Sequence, residues 1–198
     1  MGAYGFQFWW GVSFVVLLLL ALWMGKQTKG GTLGILIDNR GRYSLTHFQV
    51  VLWTIVILSS VLGVWISGGF SPEAIQIPPE LLGLMGISAG SGVLATGVKA
   101  NKDASSAKVR RAGIFQPSTG APITIVPRFA QIWLEEEGEL EGVNITKYQN
   151  FIFTLVILGV YVSMACKSGT LPTLPANVVW LIGISHAGYV GGKVPDKK

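Results

Sequence analysis

The same apolar two-segment unit occurs twice in this chain, at an offset of 100 residues between Thr46 and Thr146. The segment Thr-His-Phe-Gln at 46–49 returns as Thr-Lys-Tyr-Gln at 146–149, and an apolar run follows each copy. Each unit ends in a Gly-rich stretch that carries the tripeptide Gly-Ile-Ser, at 86–88 and 183–185. A duplicated pair of apolar segments predicts a membrane architecture in which the two copies pack against each other. It does not indicate a particular activity.

The composition also indicates a membrane protein. Half of the residues are hydrophobic and 13% are charged, whereas a soluble domain has roughly a quarter charged residues. Five apolar stretches are long enough to cross a hydrocarbon core, which takes about 20 helical residues. They are 6–24, 47–66, 80–98, 148–166 and 177–194. We therefore predict an all-α membrane protein with five transmembrane helices: an anchor span and two parallel hairpins related by a pseudo-twofold axis along the membrane normal.

The predicted organisation divides the chain into five parts. They are an N-terminal anchor span (1–24), an inner loop with a short strand (25–45), the first two-span repeat (46–98), a cytoplasmic segment (99–145) and the second two-span repeat (146–198). The first span lacks a basic leading region and a small-x-small cleavage site, so we predict a retained signal-anchor. A cleaved leader is the alternative.

Basic residues are concentrated on one side of the predicted spans. Four lie between spans one and two and seven between spans three and four, whereas Lys167 lies on the other side. The positive-inside rule then predicts an outer N-terminus and a cytoplasmic C-terminus. The net charge of +5 suits anionic lipid headgroups. Base-stacking aromatics are not interleaved with these residues, so nucleic acid is not a predicted partner.

The segments between the spans have short patterns of their own. Three β-type runs predict a small cytoplasmic α/β element. They are 33–37, 113–115 and 123–126. Phe129, Ile132 and Trp133 then share one helical face, which predicts a short helix at the membrane interface. A helix docked on the small sheet is the alternative.

Gln49 and Gln149 have two interpretations. Thr-x-x-Gln before an apolar run is the capping-box pattern, in which the threonine accepts the N3 amide and the glutamine returns to the cap amide. The alternative places both glutamines at the inner mouth of a pore. The pattern alone does not separate these hypotheses.

The two Gly-rich spans carry stripes of small residues, which allow close approach of helix backbones in lipid. The helix-packing candidates are Gly86, Gly90, Gly183, Gly188 and Gly192. A second stripe of Ser88, Ser91 and Thr96 would line a narrow uncharged pore if these helices surrounded the axis of a homo-oligomer. The alternative is close packing, with each hydroxyl bonded to its own backbone.

His186 lies within a predicted span, where a titratable group is a functional hypothesis by default. Its counterpart in the first copy is Ala89, so the symmetry breaks at this position. We include His186 among the pore-lining candidates. The alternative is a structural hydrogen bond.

Other classes of site find little support. The predicted spans contain no membrane-embedded carboxylate, lysine or arginine, which argues against ion-coupled transport and voltage sensing. Nucleophile, phosphate-loop and metal-ligand motifs do not occur, and Cys166 is the single cysteine. We therefore predict no catalytic residue, metal or cofactor. The acidic run at 135–141 predicts a solvated turn, with divalent-cation binding as the alternative.

Three segments together resemble a group of uncharacterised bacterial multi-span membrane proteins. They are Gly-Arg-Tyr-Ser-Leu-Thr-His-Phe-Gln at 41–49, Ile-Pro-Pro-Glu-Leu-Leu-Gly-Leu-Met-Gly-Ile-Ser at 77–88 and Leu-Ile-Gly-Ile-Ser-His-Ala-Gly-Tyr at 181–189. That group repeats a Gln-headed span followed by a Gly-Ile-Ser span, and the resemblance covers most of 35–193. It implies a bacterial inner-membrane protein and transfers no functional residue.

Two functions are compatible with these features, and neither is enzymatic. The first is a homo-oligomeric passive channel in the lipid bilayer, lined by the Ser88, Ser91 and Thr96 face with Gln49 and Gln149 at its inner mouth. The second is a membrane anchor or scaffold that binds a cytoplasmic protein partner through residues 99–145. We favour the channel.

Overall fold

A computed structural model describes residues 5–28, 31–38, 41–105, 127–135 and 142–191. At 95–96, 98–105 and 189–190 it describes the backbone alone. Five α-helices occur in these ranges: α1 (Phe6–Lys26), α2 (Leu45–Ser67), α3 (Pro79–Ser105), α4 (Ile145–Ser168) and α5 (Ala176–Gly191). Three short 3-10 helices accompany them, at Gly31–Leu36, Pro72–Ala74 and Phe129–Ile132. The all-helical prediction is confirmed for the described residues.

Three of the helices are long and apolar enough to cross a membrane. They are α1, α2 and α4, with 21, 23 and 24 residues. At about 1.5 Å of rise per residue, each matches or exceeds the roughly 30 Å hydrocarbon core. The apolar parts of α3 and α5, Pro79–Leu94 and Ala176–Gly188, are shorter.

The strand predicted over 33–37 is wrong. Gly31–Leu36 forms a 3-10 helix, and the Ile37 amide donates to the Gly34 carbonyl at 3.1 Å. A strand needs a neighbour to satisfy its backbone groups, and in the described residues this segment makes only an isolated bridge to Tyr43. The other two predicted strands, 113–115 and 123–126, lie outside the described residues.

The segments that precede α2 and α4 have the same local structure. A 3-10 helix comes first, followed by an isolated antiparallel bridge, Ile37 with Tyr43 before α2 and Leu134 with Val143 before α4. The residue before each long helix donates its amide back across the bridge, at 2.9 Å in both places. The two regions also contact each other. Leu45, the first residue of α2, and Ile132, in the 3-10 helix before α4, form a small buried cluster.

The main core lies between α2, α3, α4 and α5. Its most buried side chains include Trp53, Leu81, Leu84, Tyr161 and Leu174. The last four come from the second half of α4, the first two turns of α3 and the loop before α5. The core therefore lies towards the end of the bundle that carries the loops 68–78 and 169–175.

Helix α1 packs along α2 on the outside of this core. The contact is close at Gly63, where an added Cβ would lie 3.1 Å from the Cα of Trp10. Small residues permit such backbone approach when helices pack. Gly63 therefore sets the distance between α1 and α2.

Candidate functional site

A buried polar network joins three of the helices near the start of α2 and α4. Gln49, in the second turn of α2, is 2% exposed. Its Nε2 donates to Asn150 Oδ1 at 3.0 Å and to Thr154 Oγ1 at 2.7 Å, both on α4. Thr154 in turn donates to the Asn150 carbonyl at 2.8 Å. Surrounded by apolar helices, these bonds specify how α2 and α4 pack.

The capping-box interpretation of the two glutamines is wrong. The N-cap residues are Ser44 for α2 and Asn144 for α4, so Thr46 and Thr146 lie inside the helices. At α4 the cap bond comes from Asn144, whose Oδ1 accepts the Lys147 amide at 2.9 Å. Gln49 turns into the bundle because its amide finds acceptors on α4.

Asn150 is the hub of the network and is 1% exposed. Besides the Gln49 donor, its Oδ1 accepts the Ser185 hydroxyl of α5 at 3.2 Å. Two donors on this atom identify it as the oxygen of the amide. The other end, Nδ2, is buried and has no hydrogen-bond partner in the described residues.

A second polar contact joins α3 to α5. Ser91 Oγ lies 2.6 Å from His186 Nδ1 and 3.0 Å from the Ser88 carbonyl oxygen. The carbonyl can only accept, and the hydroxyl has one hydrogen. Both contacts are satisfied together when Ser91 donates to Ser88 and His186 Nδ1–H donates to Ser91. This assignment leaves His186 Nε2 as an acceptor, buried and without a partner in the described part of the chain.

The serine–histidine contact is not arranged as a nucleophile and its base. Activation requires the histidine nitrogen to accept the serine proton, whereas in the assignment given above Ser91 donates that proton to the Ser88 carbonyl. Ser91 also lies in the interior of α3, where backbone amides are used by the helix and do not form an oxyanion hole. The contact can orient His186 and hold its tautomer.

The structure brings together some of the pore-lining candidates and separates others. Ser91 and His186 are bonded, and Ser88 lies one turn before Ser91 with 4% of its surface exposed. Gln49 belongs to the neighbouring network, whereas Gln149 is exposed on α4. The side chain of Thr96 lies outside the described residues.

Three important members of the network were missed by the sequence analysis: Asn150, Thr154 and Ser185. A usable signal existed, because Asn150 stands where the first copy has Val50. A polar side chain that interrupts one copy of an apolar repeat has to find a partner in lipid. Ser185 offered a second signal, since it directly precedes His186.

The predicted packing glycines do not make the close contacts within the chain. In the described residues, a Cβ added at Gly86, Gly90 or Gly188 would meet nothing within 4 Å, and at Gly183 it would meet Ile87 at 3.7 Å. Gly192 lies outside the described residues. The close contact on α3 is instead at Gly92, where an added Cβ would lie 3.0 Å from Thr46 Cγ2.

The residues predicted to lie at the membrane interface contact the start of α2 and the segment before it. Ile132 is 0% exposed against Leu45, so its side chain lies in the protein interior. Phe129 is exposed and makes edge contacts with Tyr43 and with Trp133. Nearby, the buried Lys147 donates from Nζ to the Leu134 carbonyl at 2.8 Å, which ties α4 to the bridge before it.

The described residues line two cavities that open at the surface, among others. One, of about 670 Å³, is a mostly apolar groove between α2 and α3. The other, of about 600 Å³, lies between the loops at the far end and is lined by Glu73, Glu80, Gln76, Thr170 and Thr173 among others. The Ser71 hydroxyl donates to Glu73 and lowers the pKa of that carboxyl.

The described residues contain no group of three histidine, cysteine, aspartate or glutamate side chains that could hold a metal ion. The acidic run predicted at 135–141 lies outside them except for Glu135. No protein-family model, curated protein or solved structure matches this chain.

Proposed function

We propose that the chain forms a homo-oligomeric passive channel in the bacterial inner membrane. In this proposal α3 and α5 cross the bilayer together with α1, α2 and α4, giving five spans. The N-terminus is outside, and the C-terminus and residues 99–145 are cytoplasmic, as the distribution of lysine and arginine favours. The duplicated sequence unit forms two hairpins whose interface carries the permeating solute.

The observation that carries the proposal is a series of buried, uncharged polar atoms that have no hydrogen-bond partner in the described residues. They include side-chain atoms of Asn150, Ser88, His186 and Trp53. On α2, Trp53 lies one turn beyond Gln49 of the polar network, about 6 Å along the helix axis at 1.5 Å per residue. Polar groups are expensive to bury in lipid and tend to mark solute pathways. A solute path along the interface between the two hairpins would give these polar atoms hydrogen-bond partners.

The apolar core supports a gated path. Leu81 and Leu84 of α3 and Leu174 before α5 are 0–2% exposed, and they pack beside Trp53 and Tyr161. This layer lies between the polar network and the far loops. A hydrophobic constriction of this kind closes a pore by excluding water. In the proposed channel this layer is a closed gate on the outer side.

One face of α3 supports self-association. Gly83, Gly86, Gly90 and Gly97 recur at i, i+3, i+7 and i+14 and are exposed. A Cβ added at any of them meets nothing within 4 Å in the described part of the chain. A face of small residues is well suited to close approach by a helix of a second copy.

Flux through proteoliposomes tests the channel. We expect the purified full chain to pass a small solute or ion, and we expect Leu84→Ala to raise the rate because the apolar layer is thinned. The milder Leu84→Val controls for loss of folding. Ser91→Leu should abolish flux, whereas Gln149→Leu, on an exposed position, should not. Intact oligomers of the wild type and of Leu84→Ala that both pass nothing would refute the proposal.

A further inference from the structure

Three of the buried polar groups without partners in the described residues lie on α3, α4 and α5, and α5 packs against both of the other helices. They are Ser88 Oγ on α3, Asn150 Nδ2 on α4 and His186 Nε2 on α5, and none has a hydrogen-bond partner among the described residues. Each side chain is at least 96% buried, with exposed fractions of 4%, 1% and 2%. Native proteins leave few such groups unsatisfied, so each one requires an explanation.

Two hydrogen bonds hold these groups around one junction. The Ser185–Asn150 bond joins α5 to α4, and the His186–Ser91 bond joins α5 to α3. Ser185 and His186 are consecutive on α5, and Ser88 lies one turn before Ser91, where side chains are about 5–6 Å apart. The three unsatisfied groups therefore belong to the same packed region.

Their chemistry is complementary to a neutral molecule. Asn150 Nδ2 offers two donors, His186 Nε2 offers an acceptor in the tautomer assigned above, and the Ser88 hydroxyl can do either. None of the three is a charged group that would hold an anion, and they do not form the ring of oxygen ligands that replaces the hydration shell of a cation. A small amide or polyol carries both the acceptor and the donors that this set requires.

The duplicated sequence shows why the junction occurs on one side only. Ser185, the counterpart of Ser88, is satisfied because it reaches Asn150. At the position of Asn150 the first copy has Val50, and at the position of His186 it has Ala89. The substitutions that distinguish the two copies thus supply two of the unsatisfied groups and leave the third, Ser88, without its partner.

From this arrangement we infer that Ser88, Asn150 and His186 bind a small neutral solute with both donor and acceptor groups, of the amide or polyol class. The inference rests on the proposed channel in one respect, since it names the class of solute that permeates. Its own basis is the set of three groups at the junction of α3, α4 and α5.

Ser88→Ala is the decisive variant, because the Ser88 hydroxyl makes no bond to the described residues that its loss could break. We expect the flux of acetamide and glycerol into proteoliposomes to fall roughly fivefold, which corresponds to one lost neutral hydrogen bond of about 1 kcal/mol. Thermal stability should be unchanged or higher. The control is Ser59→Ala, whose hydroxyl is also buried but bonds to the Val56 carbonyl of its own helix. Unchanged flux in Ser88→Ala would overturn the inference.

A binding measurement separates this inference from the channel. The chain has two histidines, so His47→Gln leaves His186 as the single source of histidine ¹⁵N NMR signals in lipid nanodiscs. We expect an unprotonated Nε2 whose resonance shifts on addition of acetamide, with a weaker shift in Ser88→Ala. The absence of a shift overturns the solute site even if the protein conducts K⁺. A shift without flux of any solute supports the site and refutes the channel.

Discussion

Gln49 and Gln149 occupy the same position in the two sequence units, yet their surroundings predict opposite effects of mutation. Gln49→Leu removes two side-chain hydrogen bonds to α4. Such bonds between membrane helices average about 0.6 kcal/mol and reach about 1.7. Asn150 Oδ1 keeps its Ser185 donor and Thr154 keeps its backbone acceptor, so no further penalty is added. We expect a loss of about 1–2 kcal/mol in the free energy of unfolding.

The matched control is Gln149→Leu, which changes an exposed side chain and should alter stability by no more than about 0.5 kcal/mol. Reversible unfolding in mixed micelles, followed by circular dichroism while the fraction of SDS is raised, measures both variants. For a chain of this size, Gln49→Leu should lower Tm by roughly 2–8 °C. Combining it with Asn150→Leu should give a coupling of at least about 0.5 kcal/mol. Equal destabilisation by the two glutamine variants would contradict the assigned network.

Two further predictions concern helix packing and the approach to α4. Gly63→Ala should destabilise the protein by about 1–3 kcal/mol, because the new methyl group meets the Trp10 backbone. The control is Gly90→Ala, whose new methyl group meets nothing within 4 Å in the described residues. It should keep or raise the stability of the monomer through helix propensity. The same thermal assay measures both variants, and an equal loss of stability in the two would contradict the assigned packing. Lys147→Met should loosen the bridge before α4, since the Nζ bond to Leu134 is lost, and faster amide hydrogen exchange of the residues around that bridge is the expected result. Unchanged exchange there would remove the structural role assigned to Lys147.

Much of the helical architecture could be predicted from the sequence, because a helix in lipid has to satisfy its own backbone. An apolar run of about 20 residues therefore predicts a spanning helix without reference to its neighbours, as for α1, α2 and α4. The Gly-rich apolar composition and the prolines at 79 and 175 predict α3 and α5 close to their observed positions, although their apolar parts are shorter. That they also cross the membrane stays a prediction.

Short segments outside the long helices are harder to predict, because contacts with the rest of the chain contribute to their conformation. The run 33–37 has a β-type composition, but in the described residues it finds a single bridging residue rather than a strand. Thr-x-x-Gln matches a capping pattern, but both helices begin two residues earlier than that pattern predicts, and the Gln49 side chain donates to Asn150 and Thr154. In both cases the local pattern alone predicts the wrong structure.

The sequence by itself determined the apolar helices, their order and the two-unit pattern, since periodicity, length and hydropathy act locally along the chain. Only the tertiary structure decided which polar side chains meet. Gln49 is buried and Gln149 exposed although the motif around them is the same, and Ser88 lacks, within the described ranges, a partner such as Ser185 has. The physical reason is that a hydrogen bond needs two groups within about 3 Å in a suitable orientation. Residues about 100 positions apart reach that geometry only when the helices that carry them are packed.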